Sequence, residues 1–320
     1  MDDREVMAHA VRAAGAWGGL GAAPRLIRNR ENAVFDVTLT NGTRAALRLH
    51  RAGYQTTPSI EAELTWCEAL AKDGFPCPEP LRTLEGALTD EHAFAPVASL
   101  VSWIDADQIG ENGVAFAGSV EAHCALYRDV GALLKRLHET TRRLSLEPLP
   151  RPKWDINGLV GDRPLWGRFW ENPALDDAEK TRLLEARSLA DSQLRRLDQE
   201  MQLIHADLLQ ENILARGDAL YLIDFDDSGY GFTGYDLGTA MIQHCEIAYF
   251  DTLSDALLDG YGADTRMRAS LPLFVMLRAM ASCGWIMSRC PHDDPRQRFY
   301  AERALRCTER FLQTTTSSSS

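Results

Sequence analysis

The sequence predicts an α+β fold of two lobes, a small antiparallel-sheet lobe followed by a larger, mainly helical one. Three observations carry this: an alternating hairpin near the N-terminus, helical periodicity through most of the rest, and two short strand-like segments among those helices. At 320 residues there is room for two buried cores. The expected division is 1–101 for the first lobe, 102–313 for the second, and 314–320 as a low-complexity, disordered Thr/Ser tail.

A short helix is expected over residues 4–14. In Ala33–Thr40, Phe35, Val37 and Leu39 share one face, and Asp36, Thr38 and Thr40 the other. Asn41-Gly42 suits the positive φ of a tight turn, and Thr43–His50 returns with Ala45, Leu47 and Leu49 on one face. A helix follows, with Thr57 as N-cap and Pro58 at the first helical position, and Gly74 stops it. The prolines of Phe75–Pro80 disfavour helix and mark an extended connector. Strand-like stretches near 81–84 and 93–103 complete a sheet with one helix packed on it. Beyond these, Leu126, Val130, Leu133, Leu134 and Leu137 define a helix over about 120–139. Further helices are expected over 177–197 and 235–250 and in two stretches after Leu253. The short strands Gln202–Ile204 and Leu220–Ile223 lie between them.

Composition narrows the function. With 45% hydrophobic and 25% charged residues the chain is ordinary for a globular protein. A net charge of −12 argues against a nucleic-acid partner, because binding there depends on cations neutralising phosphates. The acidity suits a cationic substrate, and solubility alone explains it equally well. Seven cysteines, none in a C-x-x-C pair, fit thiols in a reducing compartment better than disulfides or a zinc site. The acidic N-terminus lacks a signal-peptide pattern, and no run is expected to span a bilayer. A cytoplasmic protein without a membrane partner is the expectation.

The chemistry concentrates in His205-Ala-Asp-Leu-Leu-Gln-Glu-Asn212 and Tyr221-Leu-Ile-Asp-Phe-Asp-Asp227. A loop bearing Asp207 and Asn212, then a strand delivering Asp224, holds the residue types that phosphoryl transfer needs. One carboxylate orients the acceptor hydroxyl and takes its proton, and hard oxygen ligands hold Mg²⁺ on the phosphates. A metal hydrolase using His205, Asp207 and Asp224 is a rival reading, though such sites usually have more histidine ligands.

This pattern resembles the aminoglycoside phosphotransferase and choline kinase-like family, relatives of the protein kinases. The H-x-D motif with Asn212 five residues after the Asp, and the apolar strand ending in Asp224-Phe225, carry the likeness. Asn32, the Leu47–Arg51 strand, Leu137-His138 and Tyr235-Asp236-Leu237 extend it over roughly residues 27–250. The nearest flavour is the branch holding a bacterial stress-response Ser/Thr kinase and homoserine-type kinases.

The resemblance implies a bilobal protein-kinase-like fold and a Mg²⁺-dependent kinase moving the γ-phosphate of ATP or GTP to a hydroxyl. It makes Asp207 the catalytic base and Asn212 and Asp224 the Mg²⁺ ligands. Arg48 takes the place of the strand lysine that grips the phosphates, and Glu63 pairs with it. Asn32 joins the nucleotide side, and Ser102-Trp103 form the hinge for adenine. Asp226 stands where protein kinases have the glycine of D-F-G.

Departures from the pattern are informative. Asn29–Ala33 replaces the glycine-rich loop, Arg48 replaces the lysine, and Leu209 stands where protein kinases carry a second lysine. The forked guanidinium of Arg48 differs from an ammonium in geometry. A small-molecule acceptor leads; a stress-response-type Ser/Thr protein kinase and a nucleotide-binding pseudokinase are the alternatives.

Simpler roles are expected for several neighbours. His205 braces the loop, His50 and His138 are packing or surface residues, and Asp236 accepts backbone hydrogen bonds. Asp227 is a solvated acid or a substrate contact, and Trp154, Trp166 and Trp170 pack the core or wall a pocket. Arg48 and Glu63 also suit a purely structural ion pair.

Overall fold

The computed structural model describes residues 2–29, 32–92, 95–111, 113–114, 116–197 and 201–317. The chain divides into two units. One comprises Met1–Asp107, Arg143–Arg151 and Leu214–Asp226; the other comprises Gln108–Arg142, Pro152–Ile213 and Asp227–Ser320.

In the first unit α1 (Asp3–Ala13) precedes β1 (Arg25–Asn29), β2 (Ala33–Thr38) and β3 (Arg44–Leu49). After α2 (Thr57–Lys72) come β4 (Thr89–Asp90) and β5 (Ala98–Ser102). The five strands form one antiparallel sheet, ordered β1-β2-β3-β5-β4. Alternation decides its faces. Phe35, Val37, Leu47 and Leu100 join Val6, Ala10 and Trp17 in one core, so α1 covers that face. Complete burial of Phe35 and of Leu47 contributes about 1.5–3 kcal/mol each. Val97 and Val101, out of phase with Ala98 and Leu100, pack instead on Ile60 and Leu64 of α2. Two helices therefore sandwich the sheet where one was expected.

Several boundaries differ from the sequence reading. Thr56, not Thr57, caps α2, its hydroxyl accepting from Ser59 N; such a cap is worth about 1 kcal/mol. Residues 81–84 form no strand: Leu81 N donates to Leu100 O beside an isolated Pro80–Val101 bridge, and Thr83–Gly86 turn back. The expected strand at 93–103 shortens to β5, with residues 93–94 outside the described ones.

Two distant segments belong to this unit for local reasons. In the hairpin of strands Ile213–Arg216 and Ala219–Leu222, Leu222 N donates to Pro76 O in the connector. Phe225 then packs edge-on against Trp66 of α2, centroids 5.3 Å apart. Arg151 is buried and donates to Ser59 O at 2.8 Å and to Asp226 O at 2.5 Å.

The second unit contains α3 (Val120–Leu144) up to Arg142, α4 (Ile156–Val160), α5 (Asp177–Leu194), α6 (Thr233–Met241), α7 (Phe250–Tyr261), α8 (Thr265–Trp285) and α9 (Pro295–Ser317). A small sheet has Gly229–Phe232 in the middle, parallel to Lys153–Trp154 and antiparallel to Met201–Ile204. The helix expected over 235–250 is shorter, ending at Met241 and giving way to a 3₁₀ turn at Ile242–His244. α9 continues through Ser317, so the tail expected from 314 is helical that far, and 318–320 lie outside the described residues.

From Ser270 to Gly284 every residue of α8 except Pro272 is buried, as expected of a helix apolar on all sides at the centre of a unit. Helix packing of α6 on α8 depends on small residues: a Cβ at Gly238 would come within 2.5 Å of the Phe274 carbonyl carbon. The expectation of no membrane-length run is corrected here. Thr265–Ser288 is long and apolar enough by length and composition, and 83% of its apolar window is buried inside the fold. Scattered arginines at 266, 268 and 278 obscure that run in the sequence.

Candidate active site

In the first unit the strand alternation that buries Leu47 and Leu49 turns Arg48 to the α2 face. There its Nη1 meets Glu63 Oε1 at 2.5 Å, both side chains at least nine-tenths buried. Arg48 Nη2 lies 3.4 Å from Asp226 Oδ1 and 3.9 Å from Asp224 Oδ1. Burial alone would lower the Arg48 pKa; Glu63, Asp226 and Asp224 outweigh it and hold the guanidinium above its ordinary value. Burial has the opposite effect on Asp226, whose carboxyl is pushed up to about 7, with Arg48 opposing and Glu63 and Asp224 reinforcing.

Asn32 closes this cluster. Its Nδ2 donates to Asp226 Oδ2 at 3.2 Å, and its Oδ1 accepts from Arg51 N at 3.1 Å. Asp224 follows the Ala219–Leu222 strand with φ +65°, a left-handed conformation that costs a non-glycine residue about 1–3 kcal/mol. Its side chain is 46% exposed, whereas Arg48, Glu63 and Asp226 are buried.

Ser102 and Trp103 stand at the other end of the β3–β5 ladder, where Ser102 pairs with Ala45 while Arg48 pairs with Ser99. Ser102 Oγ accepts from Glu79 N, and Arg44 lies over the Trp103 ring at 4.3 Å. Of the segment that stands in place of a glycine-rich loop, Arg30 and Glu31 lie outside the described residues.

The second unit holds the loop. Leaving strand Met201–Ile204, the chain places Ala206 at φ +65° and then presents Asp207. Asp236, fully buried on α6, fixes this bend by accepting from His205 N at 3.0 Å and Ala206 N at 2.7 Å. His138, also buried, bonds Asp236 Oδ2 through Nε2 and the Tyr261 hydroxyl through Nδ1, each at 2.9 Å. His205 Nδ1 accepts from Asp207 N at 3.3 Å. The two histidines and Asp236 thus support the backbone around Asp207.

Asp207 is held on both oxygens. Asn212 Nδ2 donates to its Oδ2 at 3.1 Å and to its backbone O at 2.8 Å. Arg278 Nη2, from the middle of α8, meets Oδ1 at 2.7 Å. Sequence reasoning missed Arg278 and Arg151. A solitary arginine inside the apolar stretch Leu271–Trp285 was the signal for the first; Arg151, in a proline-flanked loop, gave none.

A pre-bent acidic loop in a helical unit, and an ion-paired arginine beneath a five-stranded sheet, define the class as phosphotransferases of protein-kinase-like fold. The chain belongs to the phosphotransferase enzyme family called APH, whose model matches residues 24–273.

Individual relatives agree. A homoserine kinase of Chelativorans sp. (strain BNC1) is 31% identical over 206 residues, covering 61% of this chain and 57% of that protein. One from Nitrobacter winogradskyi is 31% identical over 223 residues, covering 64% and 60%. The chain thus spans less than two thirds of the length of these relatives. Over nearly full length, 97% of this chain and 98% of the other, it matches the structure of a microcompartment-associated aminopropanol kinase, with TM-score 0.82 and 25% identity. An amicoumacin kinase in complex with AMP-PNP and Ca²⁺ shares the fold, with TM-score 0.77, 17% identity and coverage of 97% and 94%.

The donor set suits a hard cation. In the second unit Asn212, its amide nitrogen committed to Asp207, has an amide oxygen of the kind such a cation takes, and in the first unit Asp224 has a carboxylate of that kind. Among the described residues no cluster of three His, Cys, Asp or Glu is arranged for a metal.

Proposed function

We propose that this protein is a kinase transferring the γ-phosphate of ATP or GTP, with Mg²⁺, to the hydroxyl of a small molecule. The observation that carries the reading is the pre-set Asp207, whose carboxylate is oriented by Asn212 while the Asn212 oxygen stays available to a cation. A carboxylate has about four lone-pair sites, so Asp207 can accept the acceptor's O–H beside its two existing partners. The hydroxyl oxygen then bonds to the γ-phosphorus, its proton passes to Asp207, and the bond to the nucleoside diphosphate breaks. Asn212 and Asp224 would hold Mg²⁺, which neutralises phosphate charge when bound.

On the nucleotide side Arg48 donates hydrogen bonds to the phosphates, steadied by Glu63, with Asn32 fixing Asp226 beside them. Ser102-Trp103 is the adenine-side segment. The names of the relatives support an amino alcohol or hydroxy amino acid as acceptor over a protein. Seven free cysteines support a reducing, cytoplasmic setting. The test is transfer of labelled γ-phosphate to a panel of amino alcohols, hydroxy amino acids, aminoglycosides and protein substrates, with and without Mg²⁺. Mg²⁺-dependent transfer to a small alcohol is expected. Labelling of protein substrates alone would replace this reading with a protein kinase.

A further inference from the structure

Arg278 is a cation without an evident structural need. It lies in the middle of α8 with 4% of its surface exposed, among apolar residues that a leucine would suit. Burying a guanidinium is costly unless its donors are met. Its partners among the described residues are Asp207 Oδ1 at 2.7 Å and Ser282 Oγ at 2.5 Å. The Nε–H is buried with no acceptor. Trp166 stacks 4.7 Å from its centre, so further acceptors must enter in the guanidinium plane.

Contact with Asp207 restricts what that acceptor can be. If Asp207 takes the proton of the substrate hydroxyl, that hydroxyl sits within hydrogen-bond distance of the carboxylate Arg278 already touches. A group a few bonds from the hydroxyl then reaches the remaining N–H donors. Planar donors of fixed spacing match a carboxylate. Among the described residues Tyr235 and Asp227 also act electrostatically on Arg278.

We propose that Arg278 is the specificity residue for an acceptor that carries a carboxylate near its hydroxyl, namely a hydroxy acid or hydroxy amino acid. This rests on the kinase reading and narrows it. The carboxylate replaces the solvent that the buried guanidinium has lost, Ser282 and Trp166 hold the fork in place, and Asp207 receives the proton.

Two matched pairs of acceptors test it: homoserine against 3-aminopropan-1-ol, and threonine against 1-aminopropan-2-ol. Members of each pair differ only by the carboxylate. Wild-type kcat/KM should favour the carboxylate-bearing member of at least one pair by roughly 100-fold, the scale of a charge-assisted contact left unmade. In Arg278→Gln that preference should shrink to roughly 3-fold or less, through a raised KM for the amino acid, with KM for ATP unchanged. Arg278→Lys keeps a cation beside Asp207 and should restore part of the preference; melting temperatures confirm that both variants fold.

Three outcomes overturn the assignment while leaving the kinase reading intact. One is wild-type transfer as good to the amino alcohols as to the amino acids. Another is an equal loss on both members of a pair in Arg278→Gln, the mark of a purely structural role. A third is a raised KM for ATP in that variant, the mark of a γ-phosphate contact. Wild-type protein that phosphorylates no alcohol at all overturns both readings.

Discussion

Asp236→Ala separates a preorganised loop from an incidental one. Asp236 is completely buried and accepts from His205 N, Ala206 N and His138 Nε2 at 2.7–3.0 Å. Removing it orphans two buried backbone N–H groups, each costing about 1–3 kcal/mol. It also releases Ala206, whose positive φ stores about 1–3 kcal/mol that the native contacts hold in place. Relaxation of Ala206 returns part of that, so the net loss should be about 3–5 kcal/mol, similar to breaking a buried polar network. Asp236→Asn keeps one carbonyl oxygen and should lose roughly half as much. Urea unfolding of the three proteins measures the cost, and turnover on the best acceptor measures the loop. Because Asp207 directly follows Ala206, kcat in Asp236→Ala should fall by about 100-fold or more. A stability loss below about 1 kcal/mol, or near wild-type kcat, would refute the claim that Asp236 sets the base.

Other consequences are as direct. The raised Asp226 carboxyl gives a pH signature: the unfolded chain releases its proton near 3.8 and the folded protein at about 7, so the folded state binds more protons between them. Stability of the nucleotide-free protein should therefore fall as pH rises from about 4 to 7, by a few kcal/mol, and Asp226→Asn should flatten that slope. A slope unchanged in Asp226→Asn assigns the effect elsewhere. Arg48→Met should cost several kcal/mol of transition-state stabilisation, about 100-fold or more in kcat/KM for ATP, while Arg48→Lys does less harm. Equal melting losses in both, with kcat/KM kept, would make the Arg48–Glu63 pair structural. Asp224→Ala should abolish the Mg²⁺-dependent part of nucleotide binding in calorimetry; unchanged MgATP affinity would move the metal to other ligands.

What the sequence disclosed follows from how local each signal is. The β2–β3 hairpin is legible because alternation and Asn41-Gly42 agree, and both act within a few residues. β1 has no such mark: all its residues but Leu26 are exposed, as suits an edge strand, so no alternation shows. Adjacent Thr56 and Thr57 are both competent caps, and only the backbone decides between them. The candidate site residues Asp207, Asn212 and Asp224 are legible because they fall in two short motifs. Arg278 meets Asp207 across 71 positions, and His138 meets Asp236 across 98, contacts set by helix packing and invisible to spacing.

The most direct test of the account is labelled γ-phosphate transfer to a hydroxyl acceptor by wild type and Asp207→Asn, with MgATP affinity measured alongside. The variant keeps the amide–Asn212 geometry but cannot take the acceptor's proton. Mg²⁺-dependent transfer by wild type, abolished in Asp207→Asn while MgATP affinity stays within about 3-fold, is the result predicted. Turnover by Asp207→Asn close to wild type would contradict the assignment of the base, and with it the mechanism built on this loop.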